Sequence, residues 1–154
     1  IFSAIYSSNY EFVYDELLEM VHNLKLQKII TINKNYLSDT EILNSLQRHD
    51  LLIYPYQRSS ESSSAAVRHG LATCKPVLVS PLPIFDDISD FINYLPGIAP
   101  NEIADGVSDW IEKNMLESSL CRDNISDRKS KLNELRFSRI SYRLYLLAKS
   151  LELN

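Results

Sequence analysis

Two short apolar runs, each stopped by proline, frame a serine-rich loop and an alanine-rich segment between residues 50 and 83, and this pattern constrains the fold most. Leu51-Leu52-Ile53-Tyr54 ends at Pro55, and Pro76-Val77-Leu78-Val79 is closed by Pro81. Runs that are apolar at consecutive positions suit strands of a parallel sheet covered on both faces. Between them, Tyr56 to Ser64 holds five serines, Arg58 and one carboxylate, Glu61. A helix is expected from near Ser62 or Ser63 to Thr73. A serine-rich loop running into a helix N-terminus offers hydroxyls and unpaired N–H groups to an anion such as phosphate. The same serines also serve for simple capping.

The rest of the chain repeats the alternation. Phe2 to Tyr6 reads as a strand, and Ser7-Ser8-Asn9 is a turn before a helix over 11–24 with Phe12, Val13, Leu17, Leu18, Val21 and Leu24 at helical spacing. Lys28 to Ile32 is β-branched and reads as a second strand, with a loop at Asn33-Lys34-Asn35. Ser38-Asp39-Thr40-Glu41 fits a capping box that opens a helix to about His49. After the central stretch, 85–91 reads as a short acidic helix and 94–98 as an edge strand. Pro100 starts a helix at its first position, with Ile103, Val107, Trp110 and Ile111 on one face. Polar residues 117–130 read as a connector or exposed helix, and a last helix runs from Lys131 to residue 152.

Strands alternating with helices in this way predict an α/β fold with a largely parallel sheet, as one domain over residues 1–154. Ligands in such sheets sit beyond the C-terminal ends of the strands. That rule gathers Ser7 to Asn9, Asn33 to Leu37, Tyr56 to Ser64 and Ser80 to Phe85 on one rim.

Composition removes several function classes. The net charge of −4 supplies no positive field for a nucleic-acid backbone, so no nucleic-acid partner is expected. No apolar run approaches the length of a bilayer span. Cys74 and Cys121 are the only cysteines, too few for a zinc site or a disulfide framework, and are expected to be reduced in a cytoplasmic protein. His22 and His49 are lone helical histidines, so no metal is expected.

The central stretch resembles the C-terminal, nucleotide-sugar-binding domain of GT-B-fold retaining glycosyltransferases, the family of sucrose and glycogen synthase relatives and many bacterial polysaccharide enzymes. The residues that carry the likeness are the strand ending at Pro55, the loop with Glu61, the helix to Thr73 and the Pro76-Val77 strand. Closest is a bacterial subset whose loop reads Glu-Ser-x-Ser-x-Ala-Val-Arg, here Glu61 to Arg68, followed by Leu-Pro-Ile-Phe, here Leu82 to Phe85.

The resemblance implies a Rossmann-like domain with helices on both sheet faces, and a sugar moved with retention from a nucleotide diphosphate sugar to a polysaccharide, glycolipid or lipid-linked glycan acceptor. It implies Glu61 as the catalytic-site contact to the donor sugar, with Ser62, Ser63 and Ser64 at the diphosphate and Arg58 as a bidentate phosphate donor. Tyr56 belongs to the same donor loop, and Asn35 and Tyr36 match the base-contacting loop. The family pairs two glutamates with seven residues between them. Glu61 matches the first and His69 stands at the second, on the ribose edge, where a neutral imidazole offers one acceptor and one donor instead of a carboxylate. Cys74 stands where the family has glycine, and Arg68 is expected in a surface or domain-interface ion pair.

The family's first strand, with its basic Arg and Lys pair, has no counterpart here. The chain is therefore expected to be a fragment of a larger enzyme, inactive alone, that needs an N-terminal GT-B domain. The basic last helix, with Arg136, Arg139, Arg143 and Lys149 among its cations, would pack on that domain or touch the inner face of a membrane peripherally. The alternative reading is a non-catalytic, degenerate α/β binding or interaction module.

Overall fold

The computed structural model describes residues 11–116, 129–130, 132–134 and 136–151. Its elements in chain order are helix α1 (Glu11–Asn23), helix α2 (Asp39–Leu46), strand β1 (Leu52–Tyr54), helix α3 (Ala65–Ala72), strand β2 (Val77–Val79), a 3-10 segment (Pro83–Phe91), strand β3 (Asn93–Tyr94), helix α4 (Pro100–Leu116) and helix α5 (Phe137–Leu151). Two compact units divide between Glu41 and Ile42. The protein is an α/β protein with a parallel sheet.

In the second unit β2 lies between β1 and β3, and both pairings are parallel. The register sets Leu52 beside Val77, Tyr54 beside Val79 and Leu78 beside Asn93. All three β2 residues are buried, so both of its faces are covered, as its unbroken apolar run predicts. On one face Val77, Val79 and Leu52 pack with Val67 and Leu71 of α3 and with Ile84, Phe85, Ile88 and Ile92. Burying one such aliphatic or aromatic side chain contributes about 1.5–3 kcal/mol, and this cluster is where the second unit concentrates that term.

The 3-10 segment supplies three of those core residues because its apolar positions Ile84, Phe85 and Ile88 all turn inward. It bends at Ile88, whose backbone is non-helical (φ −123°, ψ 15°). Helix α4 starts with Pro100 at its first position, where no N–H is needed. Glu102 reaches back to accept from the Ala99 N–H at 2.9 Å, the carboxylate half of a capping box. The expected edge strand is present but shorter, at Asn93–Tyr94.

The first unit holds α1 and the start of α2. The capping box is formed as expected: the Ser38 N–H and hydroxyl donate to Glu41 Oε2 at 2.9 and 2.7 Å, and Glu41 N–H returns to Ser38 Oγ at 3.4 Å. Those bonds, the hydroxyl's first, hold the Glu41 carboxyl below the usual carboxylate range.

Three expectations are corrected. Residues 28–32 are not a strand: 27–29 form a turn, in which Ile29 and Ile30 N–H groups both donate to Leu26 O at 2.9 Å. The cause is how α1 ends. Lys25 is left-handed (φ 57°), and the Lys25 and Leu26 N–H groups donate back to the carbonyls of His22 and Val21, a Schellman closure that turns the chain immediately into another turn. Helix α3 begins at Ala65, later than Ser62 or Ser63, because Ser64 has extended backbone (φ −108°, ψ 115°) and acts as the cap. The last helix is not continuous from 131, since Arg136 is a bend before α5 begins at Phe137. The strand expected at 2–6, the turn at 7–9 and most of the 117–130 connector lie outside the described residues.

Helix α3 ends on the same left-handed device. Cys74 has φ 59°, and its N–H donates to Leu71 O at 2.9 Å. The Thr73 hydroxyl donates to Gly70 O at 2.6 Å and accepts from Lys75 N–H at 3.4 Å, which closes the turn into β2. A side chain in this region costs about 1–2 kcal/mol, which glycine avoids at its own entropic cost of about 0.5–1 kcal/mol. Cys74→Gly is accordingly expected to raise stability by about 0.5–1 kcal/mol in urea unfolding.

At Gly70 helix α3 lies close against β1. A Cβ there would stand 2.5 Å from the Tyr54 hydroxyl and 3.2 Å from Leu52 Cδ1. That hydroxyl is buried, with no hydrogen-bond partner among the described residues. Gly70→Ala is expected to cost about 1–2 kcal/mol net, overpacking offset by better helix propensity. Tyr54→Phe alone is expected to be neutral or stabilising, because it deletes an unsatisfied group. Combined with Gly70→Ala it removes the closest of the clashing atoms, so urea unfolding of the four proteins should give a favourable coupling of about 1 kcal/mol.

Candidate functional site

Because all three strands are parallel, their C-terminal ends lie on one rim, where three loops emerge: 55–64 after β1, 80–82 after β2 and 95–99 after β3. The first two leave by tight turns of the same kind. Tyr56 N–H donates to Tyr54 O at 2.9 Å and Leu82 N–H to Ser80 O at 2.8 Å. Gln57 Nε2 donates to Ile98 O at 2.8 Å and so ties the first loop to the third.

The serine-rich loop is anchored at both ends. Near its start Tyr56 packs on the fully buried Phe85 with ring centroids 5.5 Å apart. At its end the Tyr56 hydroxyl meets Ser64 Oγ at 3.0 Å, and Ser64 Oγ accepts from Val67 N–H at 3.3 Å. Ser64 is only 2% exposed. Its hydroxyl is therefore committed to the α3 cap and to Tyr56. Between the anchors Arg58, Ser60, Glu61, Ser62 and Ser63 are exposed, and Glu61 N–H donates to Ser59 Oγ at 3.2 Å.

The rim thus brings together Tyr56, Arg58, Glu61, Ser62, Ser63 and Ser64. The exposed hydroxyls of Ser62 and Ser63, the Arg58 guanidinium and the positive end of α3 can meet an anionic oxygen, while Glu61 can accept from hydroxyl donors. His69 is half-buried in the last turn of α3, roughly 7 Å along the axis from Ser64. Asn35 and Tyr36 are exposed in the first unit, where Asn35 N–H donates to Asn33 Oδ1 at 3.0 Å.

Two features escaped the sequence, and a third was expected without its partner. Gln57 crosses 41 positions to reach Ile98, and no local pattern signals it. Ser80, just after β2, is fully buried, its Oγ without a partner among the described residues, although a serine between an apolar strand and a proline is a visible cue. Arg68 pairs with Asp87 and also donates to Ser64 O at 3.3 Å, which is the surface ion pair expected of it, with its partner now identified.

Burial, and secondarily the neighbouring Tyr56, pushes the Tyr54 hydroxyl up to about 12. The phenol in β1 thus stays neutral and acts by packing. Away from the rim, a groove of about 490 Å³ runs along the flank of α3, lined by Arg68, Leu71, Cys74, Asp87, Ile88 and Arg136 among others. Among the described residues no group of three or more His, Cys, Asp or Glu side chains is placed to hold a metal ion.

No family model, curated protein or solved structure matches this chain.

The geometry separates the cap from the exposed serines. Ser64→Ala is expected to lower stability by about 1–2 kcal/mol, because it removes the cap and leaves the Tyr56 hydroxyl without its partner. Ser62→Ala and Ser63→Ala should each stay within about 0.5 kcal/mol, as exposed positions do. Urea unfolding of the three variants checks this ranking.

Proposed function

We propose that this chain is the donor-binding part of a retaining glycosyltransferase, a Rossmann-like domain that holds a nucleotide diphosphate sugar. The observation that carries the reading is the exposed loop with Glu61, Ser62 and Ser63, which leaves the C-terminal end of a parallel strand and enters a helix capped by Ser64.

In this reading the first-turn N–H groups of α3 and the hydroxyls of Ser62 and Ser63 hold the diphosphate, and Arg58 closes on a phosphate oxygen as a bidentate donor. Ser64 and Tyr56 act by fixing where the helix starts. Glu61 accepts from donor-sugar hydroxyls and orients the sugar, while His69 serves the ribose edge. Fixed dipoles and cations stabilise charge on the departing diphosphate, so the reaction needs no side-chain nucleophile. An N-terminal GT-B domain would bring the glycan or lipid-linked acceptor on the cytoplasmic side. The chain by itself is then expected to bind donor without transferring sugar.

A second reading, a non-catalytic α/β module, draws on His69 standing where the resembled family has a carboxylate. Calorimetric titration with UDP, GDP and their hexose conjugates separates the two. Donor binding is expected, with sugar nucleotides weakened about tenfold by Glu61→Gln and the free nucleotides unaffected, in keeping with loss of a hydrogen bond to a charged acceptor. Absence of binding by every nucleotide and sugar nucleotide would favour the non-catalytic module.

A further inference from the structure

We propose that α5 is an interfacial helix that lies flat on an anionic lipid surface. The inference is independent of the donor loop and rests on three properties of the helix.

The first is exposure. Ile140, with Arg136 before it, lines the groove along α3, and Arg143 pairs with Glu134 just before the helix. Every residue from Ser141 to Leu151 is exposed, including Leu144 at 61%, Leu147 at 61% and Leu151 at 71%. The second is pattern. Ile140, Leu144, Leu147 and Leu151 recur at helical spacing and form one apolar stripe, roughly 100° per residue placing them within a narrow arc. The third is charge. Phe137–Leu151 contains Arg139, Arg143 and Lys149 and no acidic residue.

The charge selects the occupant. A second copy of α5 would set cations against cations in either orientation, whereas helices that pair through such stripes carry complementary flanking charges. Glu134 pairs with Arg143, which leaves Arg139 and Lys149 as the cations facing outward with no acid supplied by their own helix. A narrow apolar stripe with Arg139 and Lys149 directed away from it fits a layer of apolar chains beneath anionic headgroups. Phe137–Leu151, 15 residues, covers about 22 Å, and no helix among the described residues is long and apolar enough to cross a membrane.

The test is cosedimentation of the full chain with vesicles of phosphatidylcholine alone and of equal parts phosphatidylcholine and phosphatidylglycerol. Binding is expected to favour the anionic vesicles by about tenfold or more and to weaken with added salt. Arg139→Gln with Lys149→Gln should reduce anionic binding by about tenfold. Leu144→Asp with Leu147→Asp should abolish it while leaving the thermal unfolding midpoint unchanged, because both side chains are exposed. Equal binding to both vesicles, binding to neither, or a dimer dispersed by the two aspartates would overturn the proposal. If the aspartate variant fails to fold, the Arg139 and Lys149 pair decides alone.

Discussion

Burial of β2 on both faces governs the second unit. Val77 and Val79 face α3 and the 3-10 segment, while Leu78, pointing the other way, is also almost fully enclosed. A strand in that position must have its backbone paired on both sides, and β1 and β3 supply those pairings in parallel. Parallel pairing then requires a crossover between β1 and β2, and α3 is that crossover. The C-terminal ends of the strands consequently share a rim, and the serine-rich loop is on it because it is the first half of the crossover.

Within that frame, two local devices decide where elements stop. Left-handed residues Lys25 and Cys74 end α1 and α3, and in both places backbone N–H groups fold back onto the last helical carbonyls. The device at Cys74 delivers the chain straight into β2, a run enclosed on both faces. At Lys25 the same device is followed by a turn, and Ile29 stays largely exposed. β-branched residues make a strand only where neighbours cover and pair them, which explains why 28–32 reads as a strand and is not one.

The rim itself shows two kinds of serine with opposite consequences. Ser64 is withdrawn from solvent by the cap and by Tyr56, which ties helix start, loop end and core together through Phe85. Ser62 and Ser63 are left outside this arrangement with their hydroxyls exposed. A fixed helix start beside exposed hydroxyls is what makes the loop a credible anion cradle under the proposed function. The basic face of α5 lies on a separate element.

The sequence by itself determined the α/β alternation, the parallel central strand, the capping box at Ser38 and Glu41, and the loop that carries Glu61. Each rests on nearest-neighbour chemistry: proline stops, apolar runs, and side-chain oxygens three residues from the N–H groups they serve. Tertiary structure alone decided that Gln57 would reach Ile98, that Arg68 would find Asp87 and that Gly70 would sit against Tyr54. Those outcomes depend on which elements are packed together, and contacts between residues 16 to 41 positions apart leave no periodic trace in the chain that makes them.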